Sequence, residues 1–73
     1  MNPKIGDIVE VKLKRIKNDV LVIQEFHAVV VELDTIIGET TTALGFVARY
    51  LEFDDFCYFV YGQSEWWRIV SKA

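Results

Sequence analysis

The side chains able to do chemistry are few in this chain, and they are scattered. His27 is the only histidine and Cys57 the only cysteine. His27 stands near Glu25, so a general base or a metal ligand are the roles to weigh. Zinc takes three or four N, S or carboxylate ligands, usually with close pairs in sequence. No such pair exists here, so no metal is expected, and His27 reads as a structural residue near a bend. A reactive thiolate needs a cation or a helix N-terminus beside it. The neighbours of Cys57 are Phe56 and Tyr58, which suits a small apolar filler in a strand. Asp54-Asp55 sits between two apolar runs, as ordinary turn residues do. The glycines are dispersed and form no phosphate-cradling loop. No catalytic constellation emerges, and the expectation is a non-enzyme with no cofactor.

The stronger signal is aromatic. Residues Phe56 to Val70 read FCYFVYGQSEWWRIV. Phe56–Tyr61 is rich in the types that suit a pleated surface, Gly62-Gln63-Ser64 has turn chemistry, and Glu65–Val70 is a second run. Together they predict a β-hairpin. Adjacent strand residues point to opposite faces, so Trp66 and Trp67 cannot share one. With Gln63-Ser64 as a two-residue turn, Tyr61 faces Trp66, Phe59 faces Arg68, and Cys57 faces Val70. Tyr58, Val60, Trp67 and Ile69 then form the inner face. Arg68 marks the other face as the wetter one, and Asp54-Asp55 as the preceding turn adds Tyr50 and Glu52 to it. The candidate binding set is therefore Tyr50, Glu52, Phe59, Tyr61, Trp66 and Arg68. Tyr, Trp and Arg are the enriched residues of interface hot spots. A slip of one residue would turn the same set into core.

A second candidate is electrostatic. The chain carries 8 basic and 11 acidic residues, a net charge of -3, which gives no general attraction for nucleic acid. The charge is uneven, however. Residues 1–17 net +3 and residues 18–73 net -6. Lys12, Lys14, Arg15 and Lys17 could meet an anionic partner, or form a solvated strand face and loop.

These residues need elements to position them. Ile8–Lys14 alternates, with Val9, Val11 and Leu13 on one face and Glu10, Lys12 and Lys14 on the other, as in a half-buried strand. Arg15–Asp19 reads as a charged turn with Asn18-Asp19 at its apex. Val20–Leu33 is strongly β-branched; as one strand at ~3.3 Å per residue it would run about 46 Å, long for so small a domain. A break near Gln24–His27 is expected, leaving Val20–Ile23 and Ala28–Leu33 as separate strands covered on both faces. Asp34–Thr42 reads as an irregular connection or a wide hairpin end. Ala43–Phe53 carries two signals. Gly45, Arg49 and Glu52 fall at helical spacing behind a Thr cap, whereas Phe46, Val47, Tyr50 and Phe53 favour strand, and an internal glycine costs a helix about 1 kcal/mol. Strand is the preferred reading, with a helix at 43–53 packed on an antiparallel sheet as the alternative.

Length and composition set the scale. A chain of 73 residues makes one domain, spanning 1–73, and buries only about 60% of its unfolded surface. Yet 52% of it is hydrophobic, so apolar residues should remain outside the monomer core and a homodimer or larger assembly is expected. A single cysteine excludes an internal disulfide. No signal peptide and no run of ~18–20 apolar residues is visible, so the expected location is cytoplasmic.

Lys4-Ile5-Gly6-Asp7-Ile8-Val9-Glu10-Val11 resembles the opening of Src-homology-3-like, Tudor-like and KOW-type small barrels. Gly45-Phe46-Val47 through Tyr58–Gly62 to Glu65–Val70 is similar to the three-strand meander that completes them. The resemblance covers a little over half the chain and implies a mainly β, five- to six-stranded antiparallel SH3-like barrel. Val20–Asp34 departs from that pattern, being longer and more apolar than the usual connection.

Three functions compete. The first is a non-catalytic protein-interaction module, of adaptor or inhibitor type and oligomeric, using the aromatic/Arg face. The second is a nucleic-acid-binding small barrel using residues 12–17, and the third is a small-ligand or enzyme site formed between subunits.

Overall fold

The computed structural model describes residues 2–38, 43–62 and 65–73. They form five antiparallel strands in one sheet: β1 (Ile8–Lys17), β2 (Val20–Ile37), β3 (Ala43–Tyr50), β4 (Phe56–Val60) and β5 (Trp67–Ser71). The strand order is β4-β3-β2-β1-β5. Among the described residues there is no helix, so the helix alternative for 43–53 is set aside, and none is long and apolar enough to cross a membrane.

The alternation of β1 does what its pattern dictates. Val9 and Val11 are fully buried, while Lys14 onward is exposed. β1 runs on to Lys17 through the segment expected to be a charged turn. Asn18 and Asp19 adopt φ of 52° and 61° between paired Lys17 and Val20, the geometry of a two-residue hairpin turn that Asn and Asp tolerate best.

β2 corrects the expectation of a break near Gln24–His27. It is one strand of 18 residues, and β1 pairs with it without interruption from Ile8↔Val29 to Lys17↔Val20. The irregularity lies further on, where the β2–β3 register shifts between Val30 and Thr35 and Asp34 takes φ 53°. The Tyr61 hydroxyl holds this bend. It accepts the Asp34 N–H at 3.0 Å and donates to Asp34 Oδ1 at 3.1 Å.

The expected hairpin between Phe56 and Val70 also needs correction. β4 pairs with β3 (Phe46↔Phe59, Ala48↔Cys57), and β5 pairs with β1 (Val9↔Ile69, Val11↔Trp67). Consecutive strands therefore occupy opposite edges of the sheet, and the supposed turn residues Gln63 and Ser64 lie outside the described residues. Packing across the curled sheet selects this arrangement. Trp67 on β5 meets Phe46 on β3 edge to face, ring centres 4.9 Å apart, and lies 6.4 Å from Phe59 on β4. The core joins Val9, Val11, Ala28, Val30, Phe46, Ala48, Tyr50, Cys57 and Trp67. Gly45 lets β3 approach β4: a Cβ there would stand 2.0 Å from the Phe59 carbonyl oxygen.

Candidate interaction surface

The two tryptophans take opposite sides. Trp67 is 6% exposed and Trp66 39%. Arg68 lies with Trp66 on the outer side of β5 and reaches Glu10 Oε2 at 3.3 Å. The rest of the aromatic set does not join them. Tyr50 is buried and stacks on Phe53 with ring centres 4.3 Å apart. Phe59 and Tyr61 pack on Phe46 at 5.5 and 6.2 Å. Tyr50, Phe59 and Tyr61 thus line the core side, and the outward residues of β4 are Phe56 and Tyr58. The reason is topological. The expected face carried one alternation through an imagined β4–β5 hairpin, whereas β5 crosses to β1 and takes its facing from that pairing.

Glu52 serves as a local clasp. Its carboxylate accepts the His27 N–H at 2.8 and 3.0 Å and meets His27 Nδ1 at 3.0 Å. Desolvation pushes its pKa up, but the hydrogen bonds from the His27 backbone and ring outweigh it and hold the carboxyl below its ordinary range. Burial pushes the Cys57 thiol up to about 11, against opposing hydrogen bonds. Its Sγ lies 3.5 Å from the Ala48 carbonyl oxygen, so the group is a protonated filler at neutral pH. Burial likewise pushes Tyr50 up to about 12, with Cys57 beside it adding to the effect. Among the described residues, no three of His, Cys, Asp and Glu gather as a metal site.

A further exposed apolar feature lies elsewhere. β5 pairs with β1 only as far as Val11, with one further bond from the Lys12 N–H to the Trp66 carbonyl oxygen. β3 pairs with β2 only from Ala28 onward. Among the described residues, Leu13–Lys17 and Val20–Glu25 therefore continue past both neighbours as a two-stranded ribbon. Ile16 is 80% exposed and Leu21 59%, and Val20, Val22 and Ile23 are exposed as well. This corrects the expectation that Val20–Ile23 is covered on both faces. The register puts Ile16 with Leu21 and Lys14 with Ile23 on the Trp66 side, and Arg15 with Val22 and Lys17 with Val20 on the other. Lys14 Nζ stands 5.0 Å from the centre of the Trp66 ring, within cation–π reach. Lys12, Lys14, Arg15 and Lys17 all belong to β1, and the apolar run belongs to β2. Sequence reasoning recorded both stretches but named no apolar ribbon residue as a site. The signal was the uninterrupted run from Val20 to Ile23 beside an alternating strand.

No protein-family model, no curated protein and no solved structure matches this chain.

Proposed function

We propose that this chain is a non-catalytic protein-interaction module on an SH3-like small barrel, working as a homo-oligomer through its β1–β2 ribbon, with Trp66 and Arg68 at the ribbon's base. What supports the barrel reading is the strand order, a meander whose first strand takes the last as its second neighbour. One observation carries the functional reading: Ile16, Val20, Leu21, Val22 and Ile23 stand exposed on one protruding element. Exposed apolar surface of this kind, with Ile16, Leu21 and Ile23 together on one face and Val20 and Val22 on the other, marks an interaction site. The test is to replace Ile16, Leu21 and Ile23 together by threonine, which suits a strand and disturbs none of the core. Sedimentation equilibrium should find the parent chain as a dimer or larger and the variant as an 8.5 kDa monomer. A monomeric parent chain at micromolar concentration would overturn the reading.

A second reading is favoured by a different observation. Lys12, Lys14, Arg15 and Lys17 share the ribbon, and Lys14 stacks on Trp66. Such a basic, aromatic-lined arm suits a nucleic-acid backbone. Binding of this kind falls steeply with salt and should vanish when Lys14 and Arg15 become Glu, whereas apolar self-association should hardly respond to salt.

A further inference from the structure

We infer that two copies of this chain join through the free edge of β2, antiparallel about a two-fold axis at Ile23, so that their ribbons merge into one four-stranded sheet. This rests on the self-association reading and specifies its geometry.

The edge itself sets the register. At one end it is closed by the Asn18-Asp19 turn. At the other, the His27 carbonyl oxygen accepts from Leu51 N–H, and the His27 N–H donates to Glu52. Among the described residues nothing pairs with this side of β2 from Val20 to Phe26, and the midpoint of that stretch is Ile23. Because His27 turns both its backbone groups outward, alternation turns those of Glu25, Ile23 and Leu21 outward too. A two-fold axis normal to a sheet keeps each face on its own side, so a residue must sit on the axis. Ile23 on the axis pairs with its own copy, and Leu21 pairs with Glu25 of the second copy. About six backbone hydrogen bonds result, and the vacant edge is filled without overlapping β3.

Charge selects this edge over the others. Val20–Phe26 carries a single charge, Glu25, and no proline, a weakly guarded edge of the type that templates pairing. The outer edge of β1 is guarded by Lys12, Lys14, Arg15 and Lys17, and pairing there would set these cations against their own copies. Pairing through β2 instead keeps the two Lys14 residues about 14 Å apart, three strand spacings, beyond the ~8–10 Å screening length. The β4 and β5 edges are five residues each, and short edges are themselves a safeguard.

The test uses single cysteines at Val20, Val22, Ile23 and Gln24 in a Cys57→Ala background confirmed to fold and associate as the parent does. Mild oxidation should give the most covalent dimer with Ile23→Cys, whose Cα atoms would lie ~5.5 Å apart. Val20→Cys should stay reduced, its two copies being ~20 Å apart. Ile23→Pro removes an outward N–H but no β1–β2 bond, so near-UV circular dichroism should be retained while association weakens about 30-fold, two backbone bonds being lost. A cross-linking maximum at another position would overturn the register. A dimer indifferent to Ile23→Pro and uncross-linked at Ile23 would overturn the edge pairing and leave self-association through another surface. A monomeric parent chain would overturn both.

Discussion

Truncating the adjacent tryptophans to alanine should have very unequal effects. Trp67 is 6% exposed and closes the curled sheet against Phe46 at 4.9 Å. Loss of such a ring costs ~3–5 kcal/mol. At ~0.05–0.15 kcal/mol per residue, a chain of this length has about 4–11 kcal/mol of stability in all. Each kcal/mol is worth about 4–8 °C in melting temperature at this size, so Trp67→Ala should melt at least ~12 °C lower or fail to fold. Trp66 is 39% exposed on the outer side of the sheet, where Lys14 lies over its ring. The cation–π part of that contact is worth ~0.5–1 kcal/mol at an exposed site, about 2–8 °C, and the whole drop should stay below that of Trp67→Ala. Trp67→Phe keeps much of the ring and removes an indole N–H that meets no hydrogen-bond partner among the described residues, so it should recover most of the loss. Thermal melts followed by circular dichroism, with sizing of each variant, decide the matter. If Trp66→Ala unfolds the chain and Trp67→Ala is harmless, the placement of β5 is wrong.

Three further outcomes are expected. Gly45→Ala should destabilise by ~1–3 kcal/mol or more, because the added Cβ meets the Phe59 carbonyl and the Ile37 side chain; urea denaturation measures it, and a neutral result would refute the close β3–β4 approach. Cys57 should react with a disulfide reagent at neutral pH only on unfolding, since burial holds its thiol near 11; rapid labelling of the native chain would refute this. Asp7 accepts N–H bonds from Ala73 at 2.8 Å and Lys4 at 2.9 Å, and these, in that order, hold its carboxyl below the ordinary carboxylate range. A depressed folded-state value gives stability that is full above the unfolded value and lost as pH falls through the folded one. The stability gap between the parent chain and Asp7→Asn should therefore be present at pH 6 and close below about pH 4, and a gap independent of pH would refute the role.

What could be read from the sequence was local. The alternation of Val9 and Val11, the Asn18-Asp19 apex and the opposed tryptophans each follow from a few neighbouring residues. What could not be read depends on contacts between distant ones. The polar residues Gln24, Glu25 and His27 suggested a bend, but β2 runs unbroken through them, paired with β1 throughout. The real distortion is at Asp34, fixed by a hydroxyl 27 positions away. The turn signal at Gly62-Gln63-Ser64 suggested a local hairpin, but β1 offers β5 a partner and Phe46 offers Trp67 a packing site. In the candidate face, the facing of Trp66 and Arg68 was therefore legible, and that of Tyr50, Phe59 and Tyr61 was not. Gly45, Arg49 and Glu52 mimicked a helical stripe, although the glycine stands there because two strands approach too closely for a side chain.

Part of the apolar excess of the composition is accounted for by where the sheet curls. Side chains from all five strands meet on one inner surface around Phe46 and Trp67, and that surface ends where β3 and β5 end. β1 and β2 continue beyond it with apolar residues on both faces of the ribbon. An isolated two-stranded hairpin is marginal in water, and stability of its own takes three or more strands with an apolar face. The ribbon's turn suits its sequence and its register is uninterrupted, yet its cross-strand pairs are worth only ~0.2–1 kcal/mol each. Ordering it as a lone arm leaves its conformational entropy largely uncompensated, at ~1–2 kcal/mol per residue. Pairing across the β2 edge adds hydrogen bonds where the backbone groups already point outward and covers Leu21 and Ile23 on the same move. The ribbon that carries Ile16, Leu21 and Ile23 into solvent is thus also an element whose order assembly would reinforce.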